Sequence, residues 1–143
     1  MVDLKAPLRI DIAGGWIDIP KFHELYSGYV VNIAIAPHIT RKDGKVDFSP
    51  YLPGGGVSSS TGALSLGLLS LLAEFSTDHK VHCSPSEFAE TVFRMEDHKI
   101  NFKIGRQDPY AIILGGINFL RFGNKGFHAH NFEVETHISE TDS

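Results

Sequence analysis

The sequence predicts an α+β domain of two layers, a mixed or antiparallel sheet of about four to six strands with two or three helices on one face. Three observations carry that prediction. Segments with a β pattern lie near both ends of the chain, at residues 8–13, 29–36 and 117–122. Apolar residues recur at helical spacing between them, at 64–75 and again at 88–95. Turn signals separate the segments at Gly14-Gly15, Asp43-Gly44 and Gly115-Gly116. With 143 residues and 42% apolar side chains, the chain has material for one core and too little for two. Residues 1–143 are therefore read as a single domain.

Taken in order, Leu8 to Ala13 alternates, with Ile10 and Ile12 on one face and Arg9 and Asp11 on the other, the period of a half-buried strand. Gly14-Gly15 stops it. Tyr29 to Ala36 is a nearly continuous β-rich apolar run bounded by Gly28 and Pro37, as expected of a central strand covered on both faces. Asp43-Gly44 predicts a hairpin. Leu64, Leu68, Leu71, Leu72 and Phe75 predict a helix of about four turns whose amino end meets the Gly/Ser loop at 53–62. Ser84-Pro85-Ser86-Glu87 reads as a capping box opening a second helix through Phe88, Ala89, Val92 and Met95. A third helical segment starts at Asp108-Pro109. A strand follows at 117–122, then an edge strand at 127–138 and an acidic end.

A net charge of -4 and a pI near 6.0 leave no broad basic surface, so neither nucleic acid nor an anionic membrane is the expected partner. Cys83 is a single cysteine, which excludes an internal disulfide and fits a reducing, cytoplasmic setting. No apolar run reaches the length of a signal peptide or a membrane span.

Chemistry is concentrated in three segments. In residues 53–64, PGGGVSSSTGAL, glycines allow close backbone approach and hydroxyls stand at the start of an apolar helix. Exposed N–H groups and the positive end of the helix dipole suit a phosphate there, and a hydroxyl can add a magnesium contact. The same composition would also serve as a flexible linker. No lysine follows the glycines, so this is not a Walker loop.

The other two segments are 5–20, with Ala6, Pro7, Arg9, Gly14, Gly15 and Asp18, and 94–122. The second contains Gly105-Arg106-Gln107-Asp108-Pro109-Tyr110-Ala111 and Gly115-Gly116-Ile117-Asn118-Phe119. In type and order the three segments resemble the motifs of the galactokinase, homoserine kinase, mevalonate kinase and phosphomevalonate kinase (GHMP) superfamily. The similarity is greatest to its D-glycero-D-manno-heptose 7-phosphate kinase and fucokinase branch, and only to the amino-terminal domain. The resemblance implies phosphoryl transfer from ATP to a sugar or sugar phosphate with Mg2+. It places Asp108 at the acceptor hydroxyl with Arg9 beside it. Pro53, Gly54, Gly55, Gly56, Ser58, Ser59, Ser60 and Thr61 fall at the nucleotide. Gly14, Gly15, Trp16, Asp18, Gln107 and Tyr110 fall at the substrate, and Glu96 and Ser60, or Ser59 or Thr61 by a one-residue slip, at the metal. For carboxylates, solvated surface positions are the common alternative.

Against the family pattern, Ser58 replaces a glycine of the nucleotide loop, and residues 37–52 are shorter than the strands and helix that line the base in relatives. The family's glycine-rich third motif and carboxy-terminal domain have no counterpart. A missing domain or a homo-oligomer is the expected partner, because an interface left uncovered would be apolar. Two other classes stand beside the kinase. One is a sugar-phosphate or nucleotide binding module without turnover. The other is a metal protein, given eight histidines and the close spacing of His79, His82 and Cys83 and of His128 and His130.

Overall fold

The computed structural model describes residues 4–15, 17–47, 59–75, 83–99, 105–123 and 126–132, and of these all side chains but those of Pro20, His23, Pro37, Ser59, Ser60, Glu74, Phe75 and Lys99. The elements are β1 (Leu4–Ala13), α1 (Pro20–His23), β2 (Gly28–Lys42), β3 (Lys45–Asp47), α2 (Ser59–Phe75), α3 (Pro85–Lys99), α4 (Gln107–Leu114), β4 (Ile117–Gly123) and β5 (Gly126–Phe132). Among the described residues the strands form one sheet in the order β1-β2-β4-β5, with β3 also paired to β2, and every pairing is antiparallel. Helices α2 and α4 pack on this sheet and α3 packs on α4. The expected two-layer α+β architecture is thus present.

Two clusters of buried side chains join the layers. Ala6 and Leu8 from β1 meet Ile39, Leu66 of α2 and Ile112 of α4, while Val30, Leu120 and Phe122 meet Ala89 of α3 and Tyr110 of α4. Ile113 packs against both clusters, so the short helix α4 is the seam between them. The Asp43-Gly44 hairpin forms with both residues at positive φ, 48° and 77°, as a two-residue turn whose twist matches the strands requires. At α3 the capping box is reciprocal. The Glu87 N–H donates to Ser84 Oγ at 3.2 Å, and the Ser84 N–H donates to Glu87 Oε2 at 2.8 Å.

Two expectations for the strands are corrected. β2 does not stop at Pro37 but runs to Lys42. Its register against β1 jumps from Leu8↔Ile35 to Ala6↔Ile39, and its pairing with β4 ends at Ile33, so the proline's missing N–H falls where no ladder bond is needed. Nor is β2 covered on both faces. Val30 and Asn32 are fully buried under the helices, but Tyr29 is 51% exposed on the open face, where its ring stacks on Phe119. On β1 the expected alternation is present, and the charged side is the covered one. Ile10 and Ile12 are exposed, while Arg9 lies buried at 8% on the face that carries the helices.

Replacing the cap by Ser84→Ala is expected to lower stability by about 1 kcal/mol in urea unfolding with unchanged cooperativity. An unshifted midpoint would mean that the reciprocal bonds contribute nothing net.

Candidate active site

Helix α4 begins at a point gripped from several sides. Its N-cap residue Arg106 makes no side-chain cap bond. The missing acceptor comes instead from far away in the chain, where Asp18 Oδ2 takes a hydrogen bond from the Gln107 N–H at 3.1 Å and satisfies one of the free donors of the first turn. Asp18 is 2% exposed, so burial pushes its carboxyl up, and the Gln107 N–H pulls it partly back. Only glycine fits at 105, since a Cβ there would lie 1.5 Å from Asp18 Oδ2. Arg106 itself turns to α3, donating two bonds to the Glu90 carboxylate at 2.9 and 3.0 Å with its guanidinium 4.3 Å from the Phe93 ring centre. Those bonds hold the Glu90 carboxyl below its usual range.

So placed, α4 presents Asp108 to β1. Arg9 Nε donates to Asp108 Oδ1 at 2.5 Å, Arg9 Nη2 reaches the same oxygen, and Nη1 pairs with Asp11 Oδ2 at 2.5 Å. One buried guanidinium therefore serves two carboxylates. Burial is the largest influence on Asp11 and raises it; Arg9 draws it down, and Asp108 adds to the rise.

On the adjoining side, Thr61 in the first turn of α2 donates from Oγ1 to Glu96 Oε1 of α3 at 2.6 Å. Both residues are buried, and Glu96 Oε2 has no partner among the described residues. Burial raises Glu96 to about 7, with the Thr61 bond acting against the rise and Asp108 adding to it. Asp108 thus lies within electrostatic reach of Asp11, Asp18 and Glu96.

No protein-family model matches the chain. A D-glycero-alpha-D-manno-heptose 7-phosphate kinase from Campylobacter jejuni is 24% identical over 173 aligned positions, which take in 84% of this chain and 50% of that protein. A Campylobacter jejuni crystal structure assigned as a sugar kinase superposes with a TM-score of 0.70 at 20% identity, covering 93% of this chain and 59% of the other. The D-glycero-D-manno-heptose 1-phosphate kinase from Bacteroides thetaiotaomicron gives a TM-score of 0.63 at 18% identity over 94% of this chain and 61% of that one. The fold is a sugar-kinase fold. The chain spans about half the length of the curated relative it matches.

Within this sugar-kinase fold the structure brings together Arg9, Asp108, Asp18, Gln107, Thr61 and Glu96 of the residues singled out in the sequence. Gly14 ends β1 at φ 81°, where a Cβ would meet the Tyr29 carbonyl oxygen at 2.0 Å, and Gly15 borders Asp11. Tyr110 is not brought to the group. It lies in the core with its ring edge-on to Phe127 at 4.6 Å. Ser59 and Ser60 stand in the first turn of α2, while Trp16, Pro53, Gly54, Gly55, Gly56 and Ser58 lie outside the described residues. His128 and His130 are exposed on β5. Two members of the site had escaped notice. Asp11 reads as the polar side of an alternating strand, and its one signal is a second charge two residues from Arg9. Asn32 is an amide inside an apolar run, and an unexplained polar residue there is the signal that should have marked it.

Glu96 also sets a pH dependence. Its folded-state value near 7 lies above the ordinary 4.5, so between those values the native state keeps a proton that the unfolded chain has lost. In metal-free buffer, the Glu96 contribution to stability is therefore present in full below about pH 4.5 and is lost as pH rises through 7, a fall of about 2 to 3 kcal/mol by which the pH dependence is expected to shrink in Glu96→Gln. Parallel urea-unfolding profiles for the two proteins would remove Glu96 from this role.

Proposed function

We propose that this chain carries the acceptor site and nucleotide loop of an ATP-dependent kinase that phosphorylates a sugar or sugar phosphate. The observation that carries this reading is the placement of Asp108, paired with Arg9 at the amino end of α4, beside Glu96 and the amino end of α2. Similarity to a heptose 7-phosphate kinase along half of that enzyme's length supports the same reading.

In this mechanism Asp108 accepts the hydrogen bond of the acceptor hydroxyl and takes its proton as the new O–P bond forms and the bond to the leaving ADP breaks. Arg9 holds that carboxylate in line and contributes positive charge near the transferred group. Asp11 Oδ1 and Gln107 Oε1 are buried acceptors without partners among the described residues, and hydroxyl donors of a sugar would satisfy them. The amino end of α2 and the loop before it, residues 53–61, would take the nucleotide phosphates. Glu96 Oε2 is likewise a buried carboxylate oxygen without a partner among the described residues, so it fits a hard cation, to which Ser60 of the first turn of α2 would add a hydroxyl. Mg2+ bound there supplies charge neutralisation for the phosphates.

A complete enzyme in this reading has a second domain, covalently joined or supplied by another subunit, that excludes water from the cleft. A homo-oligomer is the variant of that arrangement in which a second copy covers the same side. Cys83 is free and exposed, in keeping with a cytoplasmic setting. A binding module without turnover is the second reading. It is favoured by the hold that Asp11 has on Arg9, which leaves that cation fully engaged.

Titration calorimetry with ATP and Mg2+, followed by a screen of sugars and sugar phosphates, tests the proposal. Asp108→Asn is expected to lower transfer at least about 100-fold while ATP affinity stays within about twofold. Undiminished transfer would take Asp108 out of the chemistry, and ATP binding with no turnover in the unmodified protein would favour the second reading.

A further inference from the structure

Three asparagines on three adjacent strands stand side by side in the sheet. Asn32 of β2 is the register partner of Asn118 of β4, and Asn118 that of Asn131 of β5. Asn32 and Asn118 are fully buried. We propose that they form a one-way chain of amide hydrogen bonds that grips both ends of α4 and so positions Asp108 against Arg9. Its catalytic consequence rests on the reading of Asp108 given above; its structural content does not.

The bonds are complete. Asn131 Nδ2 donates to Asn118 Oδ1 at 2.9 Å and to the Gly115 carbonyl at 2.8 Å. Asn118 Nδ2 donates to Asn32 Oδ1 and to the Gly115 carbonyl, both at 3.1 Å. Asn32 Nδ2 donates to the Gln107 carbonyl at 3.3 Å. Two backbone carbonyls fix the direction of every amide, because a carbonyl only accepts and each group facing one must be an NH2. Gln107 immediately precedes Asp108, and Gly115 closes the other end of the same helix. Apolar residues would pack this sheet face with less desolvation cost, but would take from the Gln107 carbonyl the donor it has besides its own helix, and from the Gly115 carbonyl both amide donors. The chain of amides thus ends on the two termini of the helix that bears Asp108.

Asn32→Asp tests this in the full chain, because it keeps shape while its hydrogen-bond capacity changes with its protonation state. The ionised carboxylate cannot donate to the Gln107 carbonyl. Its neutral form has one O–H for that carbonyl and one C=O for Asn118 Nδ2, and so restores both bonds. Asp11 in register on β1, with Asp18 and Asp108 nearby, favours the protonated form, and Arg9 opposes it. The readout is solvent exchange of the Arg9 Nε–H by NMR, taken as the ratio of variant to wild type at each pH. It reports the bond to Asp108 without requiring turnover. The expected ratio is about ten near pH 8, returning toward one by about pH 6. A ratio of one throughout overturns the proposal. So does a ratio raised equally at every pH, which is general loosening. Where the variant does not fold, Asn131→Asp at the exposed end of the chain is compared with wild type at pH 8 alone, with an expected ratio of roughly two to three and no change overturning the proposal. In an active preparation, kcat should fall with KM for ATP unchanged; absence of activity in the wild type touches the kinase reading and leaves the exchange result standing.

Discussion

Arg9 is a cation set into the covered face of a sheet, and much of the surrounding structure follows from the need to keep it paired. A guanidinium at 8% exposure without anions would be prohibitively unstable. Its own strand supplies one carboxylate, Asp11, two residues on and on the same face. The other, Asp108, has to be delivered from the far side of the chain by α4. Bringing a carboxylate to that point fixes the position of the helix to within a hydrogen-bond length. The apolar clusters on either side of α4 then fill the space that remains.

Eight residues make too short a helix to hold such a position by its own hydrogen bonds. Its start is therefore held by its neighbours, residue by residue. Arg106 is tied to Glu90 of α3, the Gln107 N–H to Asp18, the Gln107 carbonyl to Asn32, and Asp108 to Arg9. Each tie comes from a different element, so a shift of any one layer is resisted by the others. Asp108 also stands in the first turn, where a negative charge is favoured by the helix dipole. The arrangement is rigid because it is over-determined at three successive residues, a property suited to a group that must meet a reacting oxygen within a fraction of an ångström.

Much of this was legible in the sequence where local chemistry decides the outcome. Ser84 and Glu87 cap α3, Asp43-Gly44 turns the hairpin, and leucine spacing gives α2, since each depends on residues a few positions apart. The motifs at 5–20 and 105–111, through the family they resemble, likewise grouped Arg9 and Asp18 with Gln107 and Asp108, which the fold brings into contact. Less legible were the faces. The pattern at Leu8–Ala13 gives the period of the strand but not which side the helices take, and here the charged side is the one covered. Asn32 was hidden for a related reason. An amide in an apolar run is intelligible only when its register partners on β4 and β5 are known, and those pairings join residues 86 and 13 positions apart. The role of Asp11 required the same long-range information, because its effect depends on a helix nearly 100 residues later.

The balance of charge constrains what the site can accept. Asp108 lies close enough to influence Asp11, Asp18 and Glu96, and Arg9 is already shared between Asp11 and Asp108. Were all four ionised, the group would carry a net negative charge, and a polyphosphate approaching it would be repelled. Glu96 relieves part of that charge by keeping its proton up to about pH 7. A divalent cation arriving with the phosphates would relieve it differently, by making the ionised form of Glu96 the favoured one while offsetting most of the negative charge. The same carboxylates would then attract the nucleotide's counter-ion and the sugar's hydroxyl donors. In the proposed site, the excess of acid over base would thus favour phosphate that arrives in company with metal.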